Sequence, residues 1–273
     1  MKAPAFRYTR PQSPEEAIAS LEQHGADARL LAGGQSLMPM LNLRLLQPSV
    51  LVDINCIPGL DRIAAHADRV EIGALARHAA VLNSSAVAQA APLLTLALPH
   101  VAHLAVRNRG THGGSCALAD PAAELPACAL ALGASFVLRG SRGERRVPAE
   151  EFFLGLYETA LAPDELLVRI DYPRAGGAWR YGFEELSRRR GDFAIAGLAA
   201  AARIERGALL EARLAFFGVA NRPVLVRAES WEEARAAAAN VEVIGTSVYP
   251  ALYRRRLINV LLKRVLTAMA SKG

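Results

Sequence analysis

The amino-acid sequence predicts a mixed α+β protein built from two parts. Three observations support this prediction: two motifs typical of helix starts, a series of short apolar runs bounded by Gly and Pro, and a punctuated stretch after residue 172. Pro173 and Gly176-Gly177 interrupt the chain in that stretch, so we expect one domain over residues 1–175 and a second over residues 176–273.

The N-terminal segment is expected to form a helix, a strand and then a glycine turn. The motif Ser13-Pro14-Glu15-Glu16 predicts a helix start, because Ser caps free N–H groups and Glu16 can bind the N–H of the cap. Gly25 suits the end of that helix. Residues 29–32 then form a short strand that leads directly into Gly33-Gly34-Gln35-Ser36.

The rest of the chain continues this alternation of helices and strands. Further strands are expected at residues 50–54, 70–75, 135–138, 166–172 and 179–186, and further helices at residues 92–106, 120–132 and 250–269. Residues 194–204 and 209–219 fit either a strand or a helix by periodicity, and we favour strands. Ser230-Trp231-Glu232-Glu233 repeats the capping motif and predicts one more helix.

Composition excludes several classes of protein. The chain has 273 residues, of which 52% are apolar and 21% charged, so it can bury a core without disulfides. The three cysteines, Cys56, Cys116 and Cys128, form no CxxC pair, which indicates a reducing cytoplasm. The first residues lack the apolar core of a signal peptide, and no run of about 18 uncharged apolar residues predicts a membrane span.

The net charge of +6 leaves the class of partner open. Part of the excess lies in two runs, Arg188-Arg189-Arg190 and Arg254-Arg255-Arg256. Such charge suits nucleic acid, an acidic partner, an anionic cofactor or simply a solvated surface. Aromatic residues that would stack on bases do not alternate with these runs, so we do not expect nucleic-acid binding.

Two Gly-Gly turns are the most informative local feature. Each follows a short apolar stretch and carries hydroxyl residues: Ser36 in the first turn, Thr111 and Ser115 in the second. Glycine lets the backbone approach a ligand closely, and successive N–H groups in such a turn can bind an oxyanion. Two facing turns would hold a diphosphate, one on each side. Two ordinary tight turns remain the alternative.

Other site signatures are weak or absent. Neither G-x-G-x-x-G after a strand nor G-x-x-x-x-G-K-[ST] occurs, so a Rossmann nucleotide site and a P-loop are unsupported. His100 and His103 could share a helix face, but no third metal ligand is evident nearby. Cys116 is expected to be a small buried residue rather than a redox thiol. We find no metal site and no catalytic triad or carboxylate pair.

Taken together, the two turns carry a family resemblance. The segments 32–37 (AGGQSL), 107–115 (RNRGTHGGS) and 119–126 (ADPAAELP), in this order and spacing, resemble the FAD-binding medium subunit of molybdenum hydroxylases, a group that includes xanthine dehydrogenase and aerobic carbon monoxide dehydrogenase. The resemblance extends to segments 158–167, 189–194 and 253–255. It implies a two-part FAD-binding domain of the vanillyl-oxidase-like type, split near residue 56, followed by a smaller α+β C-terminal domain.

The resemblance also implies which residues bind FAD. The first pyrophosphate loop would comprise Arg29, Leu30, Leu31, Ala32, Gly33, Gly34, Gln35, Ser36 and Leu37, and the second Thr111, His112, Gly113, Gly114 and Ser115. Glu124 would bind ribose hydroxyls where the family often has Asp, and Leu161 and Leu167 would line the flavin. Asp192 and Phe193 would lie near the isoalloxazine ring. Gln35 replaces a His found in some relatives, which implies noncovalent FAD.

The implied function is that of an electron-transfer subunit. FAD would pass electrons from [2Fe-2S] clusters on a small partner subunit to an external acceptor, while a large partner subunit carries molybdopterin. The resemblance further implies a dimer of heterotrimers. Two alternatives stay open: a stand-alone FAD oxidoreductase with its own organic substrate, and an assembly module that has lost its flavin.

Overall fold

The computed structural model describes residues 2–174 and 176–271, and the expected domain boundary at Ala175 lies outside them. The N-terminal part contains β1 (Arg7–Thr9), α1 (Pro14–His24), β2 (Ala28–Leu31), α2 (Leu37–Asn42) and β3 (Val50–Asp53). Its three strands form a parallel sheet in the order β1-β3-β2. A hydrophobic core forms around α1 and this sheet and includes Val137, Leu166 and Val168 of the central part of the chain.

A five-stranded antiparallel sheet and a group of short helices form the central part. Its elements are β4 (Ile63–Ala65), β5 (Arg69–Gly73), α3 (His78–Leu82), α4 (Ser85–Ala90), α5 (Pro92–Ala97), α6 (Leu104–Arg107), α7 (His112–Leu118), α8 (Glu124–Leu132), β6 (Ser135–Gly140), β7 (Gly143–Pro148), α9 (Ala149–Phe152), β8 (Phe153–Gly155), β9 (Glu158–Thr159) and β10 (Leu166–Pro173). The sheet order is β4-β5-β10-β6-β7, and β8 pairs with β9.

The C-terminal part is a four-stranded antiparallel sheet with helices. It contains β11 (Trp179–Leu186), β12 (Ala196–Glu205), β13 (Ala208–Phe217), β14 (Val224–Ala228), α10 (Trp231–Ala236) and α11 (Ala251–Ala270). One face of the sheet packs against α11 and the other against α5 and α8. Helices cover both faces of this sheet. The alanine side chains of β12 are small, so the helices can approach the strand closely.

The predicted helix starts are confirmed with one change in detail. The Oγ atom of Ser13 accepts a hydrogen bond from the N–H of Glu16 at 3.2 Å, and Ser230 does the same for Glu233. Glu16, however, binds the N–H of Gln12 at 2.8 Å rather than that of the cap residue. The strands preferred over helices for residues 194–204 and 209–219 are confirmed as β12 and β13.

Two helix predictions are wrong in extent. A continuous helix over residues 92–106 is not formed, because α5 ends at Ala97 and Ala102 adopts a positive φ of 43°. Residues 120–123 form a turn in which Asp120 Oδ1 accepts the N–H of Ala122 at 2.9 Å, so the following helix begins only at Glu124.

None of the helices within residues 2–174 and 176–271 combines the length and hydropathy that a membrane span requires.

Candidate functional site

Two parallel strands bring the first glycine turn and a polar segment to one edge of the N-terminal sheet. The backbone pairs Leu31 with Asp53, so β2 and β3 end side by side. The glycine turn follows β2, and Asp53 and Asn55 lie at the end of β3. Ligands commonly bind where the carboxyl ends of parallel strands meet. The sequence analysis missed Asp53 and Asn55, although the carboxyl end of a strand beside the turn was a usable signal.

The first turn presents a row of free backbone donors. The N–H groups of residues 33–37 donate no hydrogen bond to any residue that the structure describes. Gly34 adopts a φ of 71°, which turns the chain sharply within this row. Gln35 is exposed, and its side-chain amide donates back to the carbonyl of Gly33 at 3.1 Å. Successive free N–H groups of this kind form a concave anion site.

The second turn does not present such a row, which corrects the expectation of two facing cradles. The N–H of His112 donates to Ala76 at 2.8 Å and that of Gly113 to Ala74 at 2.9 Å. The N–H of Gly114 donates to Thr111 Oγ1 at 3.1 Å, as in a capped helix start. These N–H groups are therefore not available to a ligand, because they bond to the loop between β5 and α3 and to the Thr111 side chain. The hydroxyl group of half-buried Ser115 remains its available polar group.

The two turns are in direct contact. A β-carbon built on Gly33 would lie 2.5 Å from the carbonyl oxygen of Arg109 and 2.9 Å from the Cα atom of Gly110. Glycine at position 33 is therefore required by the approach of one turn to the other. The expectation that these loops lie together is confirmed by this contact, although only the first offers a row of N–H groups.

A cavity of about 330 Å³ lies beside the first turn. Its lining combines five residues predicted as FAD ligands with five others: Leu31, Ala32, Gly33, Gly34, Gln35, Met38, Pro39, Asp53, Asn55 and Arg109. The wall therefore offers free N–H groups, one guanidinium group and the apolar surface of Met38 and Pro39. Such a mixture suits an anionic ligand with an apolar part.

The two arginines before the second turn have different roles. Arg109 lines the cavity, and no carboxylate of the described residues lies within ion-pair distance of it. Arg107 instead donates to the carbonyls of Val101 and Ala102 at 2.8 and 2.9 Å, so it stabilises the loop after α5. Of these two, Arg109 is the one placed to attract an anion into the cavity.

Asp53 is held as a carboxylate. Burial alone would raise its pKa, but hydrogen bonds from the Tyr8 hydroxyl and from the backbone and side chain of Asn55 hold the pKa below its ordinary value. The negative charge therefore belongs to the native fold at neutral pH. The carboxylate orients Asn55, whose side-chain amide donates to Asp53 Oδ1 at 2.6 Å.

Glu124 starts α8 and is buried. Burial and the neighbouring carboxyl group of Glu185 raise the pKa of Glu124 to about 8. The side chain of Glu185, on β11 of the C-terminal domain, is also buried; its Oε1 atom lies 3.4 Å from His100 Nδ1, and its Oε2 atom has no partner among the described residues. Glu124 is thus a buried acid at the contact of the two domains, with a free capacity to accept or donate a hydrogen bond.

The side chain of His112 points into the core. It is fully buried, and its Nε2 atom lies 2.7 Å from the hydroxyl of Tyr172. Burial, followed by the charge of His78, lowers the pKa of His112 to about 3. Its side chain therefore fills space in the core, and the residue can reach a ligand only through its backbone.

The residues expected to surround the flavin ring differ in exposure. Leu161 is half-buried against the central core, and Leu167 is buried in it. Asp192 accepts a hydrogen bond from Arg189 at 3.5 Å, whereas the Phe193 ring is 67% exposed. The loop that carries Asp192 and Phe193 packs through Gly191 on the carbonyl of Ala102. These four residues do not line the cavity beside the first turn.

The remaining predicted positions lie around that turn without lining the cavity. The Arg29 guanidinium group donates to Ala26 and Ala28, away from the turn, and Leu30 packs on the N-terminal core. Ser36 and Leu37 continue the row of free N–H groups. In the described part of the chain, no group of three or more His, Cys, Asp or Glu residues is arranged to hold a metal ion.

Comparisons with known proteins cover both halves of the chain. Residues 4–175 match the family described as FAD binding domain in molybdopterin dehydrogenase, and residues 181–269 match the CO dehydrogenase flavoprotein C-terminal domain. The chain is 38% identical to the 6-hydroxypseudooxynicotine dehydrogenase complex subunit alpha of Paenarthrobacter nicotinovorans, over 97% of this chain and 95% of that one. It is 41% identical to the caffeine dehydrogenase subunit beta of Pseudomonas sp. (strain CBB1), over 85% of this chain and 79% of that one.

A solved structure gives the same result. A chain of the carbon monoxide dehydrogenase from Hydrogenophaga pseudoflava, in a form that lacks the Mo-pyranopterin moiety of the molybdenum cofactor, superposes with a TM-score of 0.94. The two chains are 38% identical, and the match covers 99% of each. The protein therefore belongs to the family of FAD-binding medium subunits of molybdenum hydroxylases.

Proposed function

We propose that the chain is the FAD-carrying electron-transfer subunit of a heteromeric molybdenum hydroxylase. The row of free N–H groups at residues 33–37, beside the guanidinium group of Arg109, carries this proposal. An anion would satisfy both, and the diphosphate of FAD is the anion that this family binds. The flavin, when bound, supplies the redox chemistry, and the chain supplies binding, orientation and electrostatics.

The residues present fit that cofactor. Free N–H groups would hold one side of the diphosphate, and the Ser115 hydroxyl would add a donor from the second turn. Glu124 would bind ribose hydroxyls, and Leu161, Leu167, Asp192 and Phe193 would surround the flavin ring. Gln35 carries no group that forms a bond to flavin, which supports noncovalent binding. Protons and electrons are not exchanged with a catalytic side chain in this scheme.

The wider assembly is also part of the proposal. We place the vanillyl-oxidase-like arrangement in residues 1–175, divided near residue 56, and the second domain in residues 176–273. A small subunit would bring [2Fe-2S] clusters and a large subunit the molybdopterin, in a dimer of heterotrimers in the cytoplasm. Relatives named for 6-hydroxypseudooxynicotine and for caffeine support a substrate pocket on another chain, because similar medium subunits serve different substrates.

Purification of the full chain tests cofactor binding. The chain should be yellow, and FAD should appear in the supernatant after denaturation. A colourless chain that FAD cannot reconstitute would refute the proposal and favour the assembly module. Co-production with an iron–sulfur chain and a molybdenum chain tests the relay: stable recovery of the complex supports it. Turnover of an organic substrate by the isolated chain would instead establish the stand-alone oxidoreductase.

A further inference from the structure

The side chain of Asn55 binds two backbone carbonyls at the start of the first turn. Its side-chain amide donates to the carbonyl of Ala32 at 2.8 Å and approaches that of Leu31 at 3.3 Å. In a trans peptide, the C=O and the following N–H point in opposite directions. Fixing the carbonyl of Ala32 therefore fixes the direction of the Gly33 N–H, which is the first donor of the free row.

Arg77 continues this network to the second turn. Its Nη2 atom donates to Asn55 Oδ1 at 2.7 Å, and its Nη1 atom donates to the carbonyl of Arg109. That carbonyl is the one against which Gly33 packs. The backbone of Arg77 also pairs with Thr111. A single chain of side-chain hydrogen bonds thus joins a peptide group at the start of the first turn to the Arg109 carbonyl just before the second turn.

The charge of Arg77 has no ion-pair partner within residues 2–174 and 176–271, since no carboxylate there lies within ion-pair distance of its guanidinium group. Burial, followed by the charge of Arg109, lowers its pKa from the ordinary value. Arg109 lines the cavity beside the row of free N–H groups, and Arg77 lies behind it, in contact with Asn55 and the carbonyl of Arg109. A bound anion would supply the missing negative charge.

We propose that Asn55 and Arg77 are positioning residues for the diphosphate of the cofactor: they lock the two turns in one relative geometry, and Arg77 adds long-range positive charge. This proposal rests on the proposed function. It predicts that the pair acts as a unit, because each residue orients the other. Hydrogen bonds that involve a charged group are each worth about 10-fold or more in an equilibrium constant.

FAD binding to the apoprotein of the full chain tests the proposal. Asn55→Ala and Arg77→Ala should each weaken FAD binding about 10-fold or more, and the double variant should be little weaker than the worse single variant. Asn55→Asp keeps an acceptor for Arg77 but loses the amide donor to Ala32, so it should not restore affinity. Arg77→Lys should restore only part, since an ammonium group does not span both acceptors.

The salt dependence of binding separates a charged role from a purely structural one. The affinity of the Arg77→Ala variant should depend less steeply on salt concentration than that of the wild type, and Arg77→Lys should keep the wild-type slope. ADP, which carries a diphosphate and no flavin, should show the same ranking of variants. These readouts are compared at matched circular-dichroism spectra; if Arg77→Ala does not fold, Asn55→Asp and Arg77→Lys carry the test.

Two matched controls are available in the chain. Asn83 donates its side-chain amide to the carbonyl of Ala79 at 2.9 Å, and Arg222 donates to that of Phe153 at 3.0 Å. Asn83→Ala and Arg222→Ala should leave FAD affinity unchanged. Additive losses with an unchanged salt slope, or wild-type affinity in the Asn55 and Arg77 variants, would overturn this inference and leave FAD binding itself intact. Failure of the wild type to bind FAD would overturn the proposed function instead.

Discussion

Gly33 faces the carbonyl oxygen of Arg109 so closely that a β-carbon at position 33 would lie 2.5 Å from it. This single approach joins two loops that are far apart in the chain. The two glycines of the first turn are needed for different reasons. Gly33 permits contact between the turns, whereas Gly34 permits a positive φ of 71°.

Gly33→Ala should impair both folding stability and FAD retention. The added methyl group has to push Arg109 and Gly110 away, at a cost of about 1–3 kcal/mol as for other overpacked sites. Thermal unfolding of the apoprotein and the flavin content of the purified chain measure the two effects. Gly177→Ala is the control, because a β-carbon there has no neighbour within 4 Å. Equal flavin content in both variants would contradict the contact between the turns.

Arg109→Ala should weaken FAD binding without unfolding the protein. The guanidinium group lines the cavity and the residue is exposed, so its loss removes attraction for an anion and little packing. We expect a loss of about 0.5–2 kcal/mol, or roughly 2- to 30-fold in the dissociation constant of FAD. Titration of the apoprotein with FAD at low and high salt checks this. Arg142→Ala, at an exposed turn, should bind as the wild type does.

Glu124→Gln should stabilise the apoprotein at alkaline pH. The pKa of Glu124 is raised to about 8 in the native state, above its value in the unfolded chain. Between these two values the native state retains a proton that the unfolded state has released, so the free energy of unfolding falls as pH rises, by up to about 1.4 kcal/mol per pH unit. The amide side chain of the variant does not titrate, so the substitution should remove this slope.

Denaturant unfolding of the apoprotein between about pH 5 and pH 9 measures the effect of Glu124. The exposed Glu151 provides the control, because Glu151→Gln should leave the dependence of stability on pH unchanged. An identical slope in the wild type and in the Glu124→Gln variant would mean that this carboxyl group ionises normally in the folded chain.

Phe193→Ala should change the flavin environment and leave the fold intact. The ring is 67% exposed, so its removal should alter the free energy of unfolding by less than about 0.5 kcal/mol. A Phe193 side chain beside the isoalloxazine ring excludes water from it, so its loss should change the fluorescence of bound flavin by making the surroundings of the ring more polar. Leu156→Ala, another exposed apolar position, should have no such effect. Unchanged fluorescence would remove Phe193 from the flavin site.

Local sequence patterns predicted much of the architecture. The Ser-initiated capping motifs at Ser13 and Ser230 act through contacts within four residues, so each helix start was visible in the sequence. Three strands of the C-terminal sheet, β11 to β13, were predicted correctly, although the alanine-rich composition of β12 suits a helix as well; the edge strand β14 was not predicted. The helix over residues 92–106 was predicted wrongly, because a left-handed residue at Ala102 and the packing of Gly191 on it depend on a distant loop.

The amino-acid sequence by itself determined the two glycine turns, the order of motifs that marks the family, and the residues able to form an anion cradle. Only the tertiary structure decided which donors stay free: the N–H groups of His112 and Gly113 are taken by the carbonyls of Ala76 and Ala74, while those of the first turn are not taken by any described residue. The physical reason is that a backbone donor is available only where no distant strand or loop supplies an acceptor. The same long-range packing placed Asn55 and Arg77 between the turns. The position of Asn55 after β3 was a usable signal in the sequence, whereas no local pattern indicates Arg77.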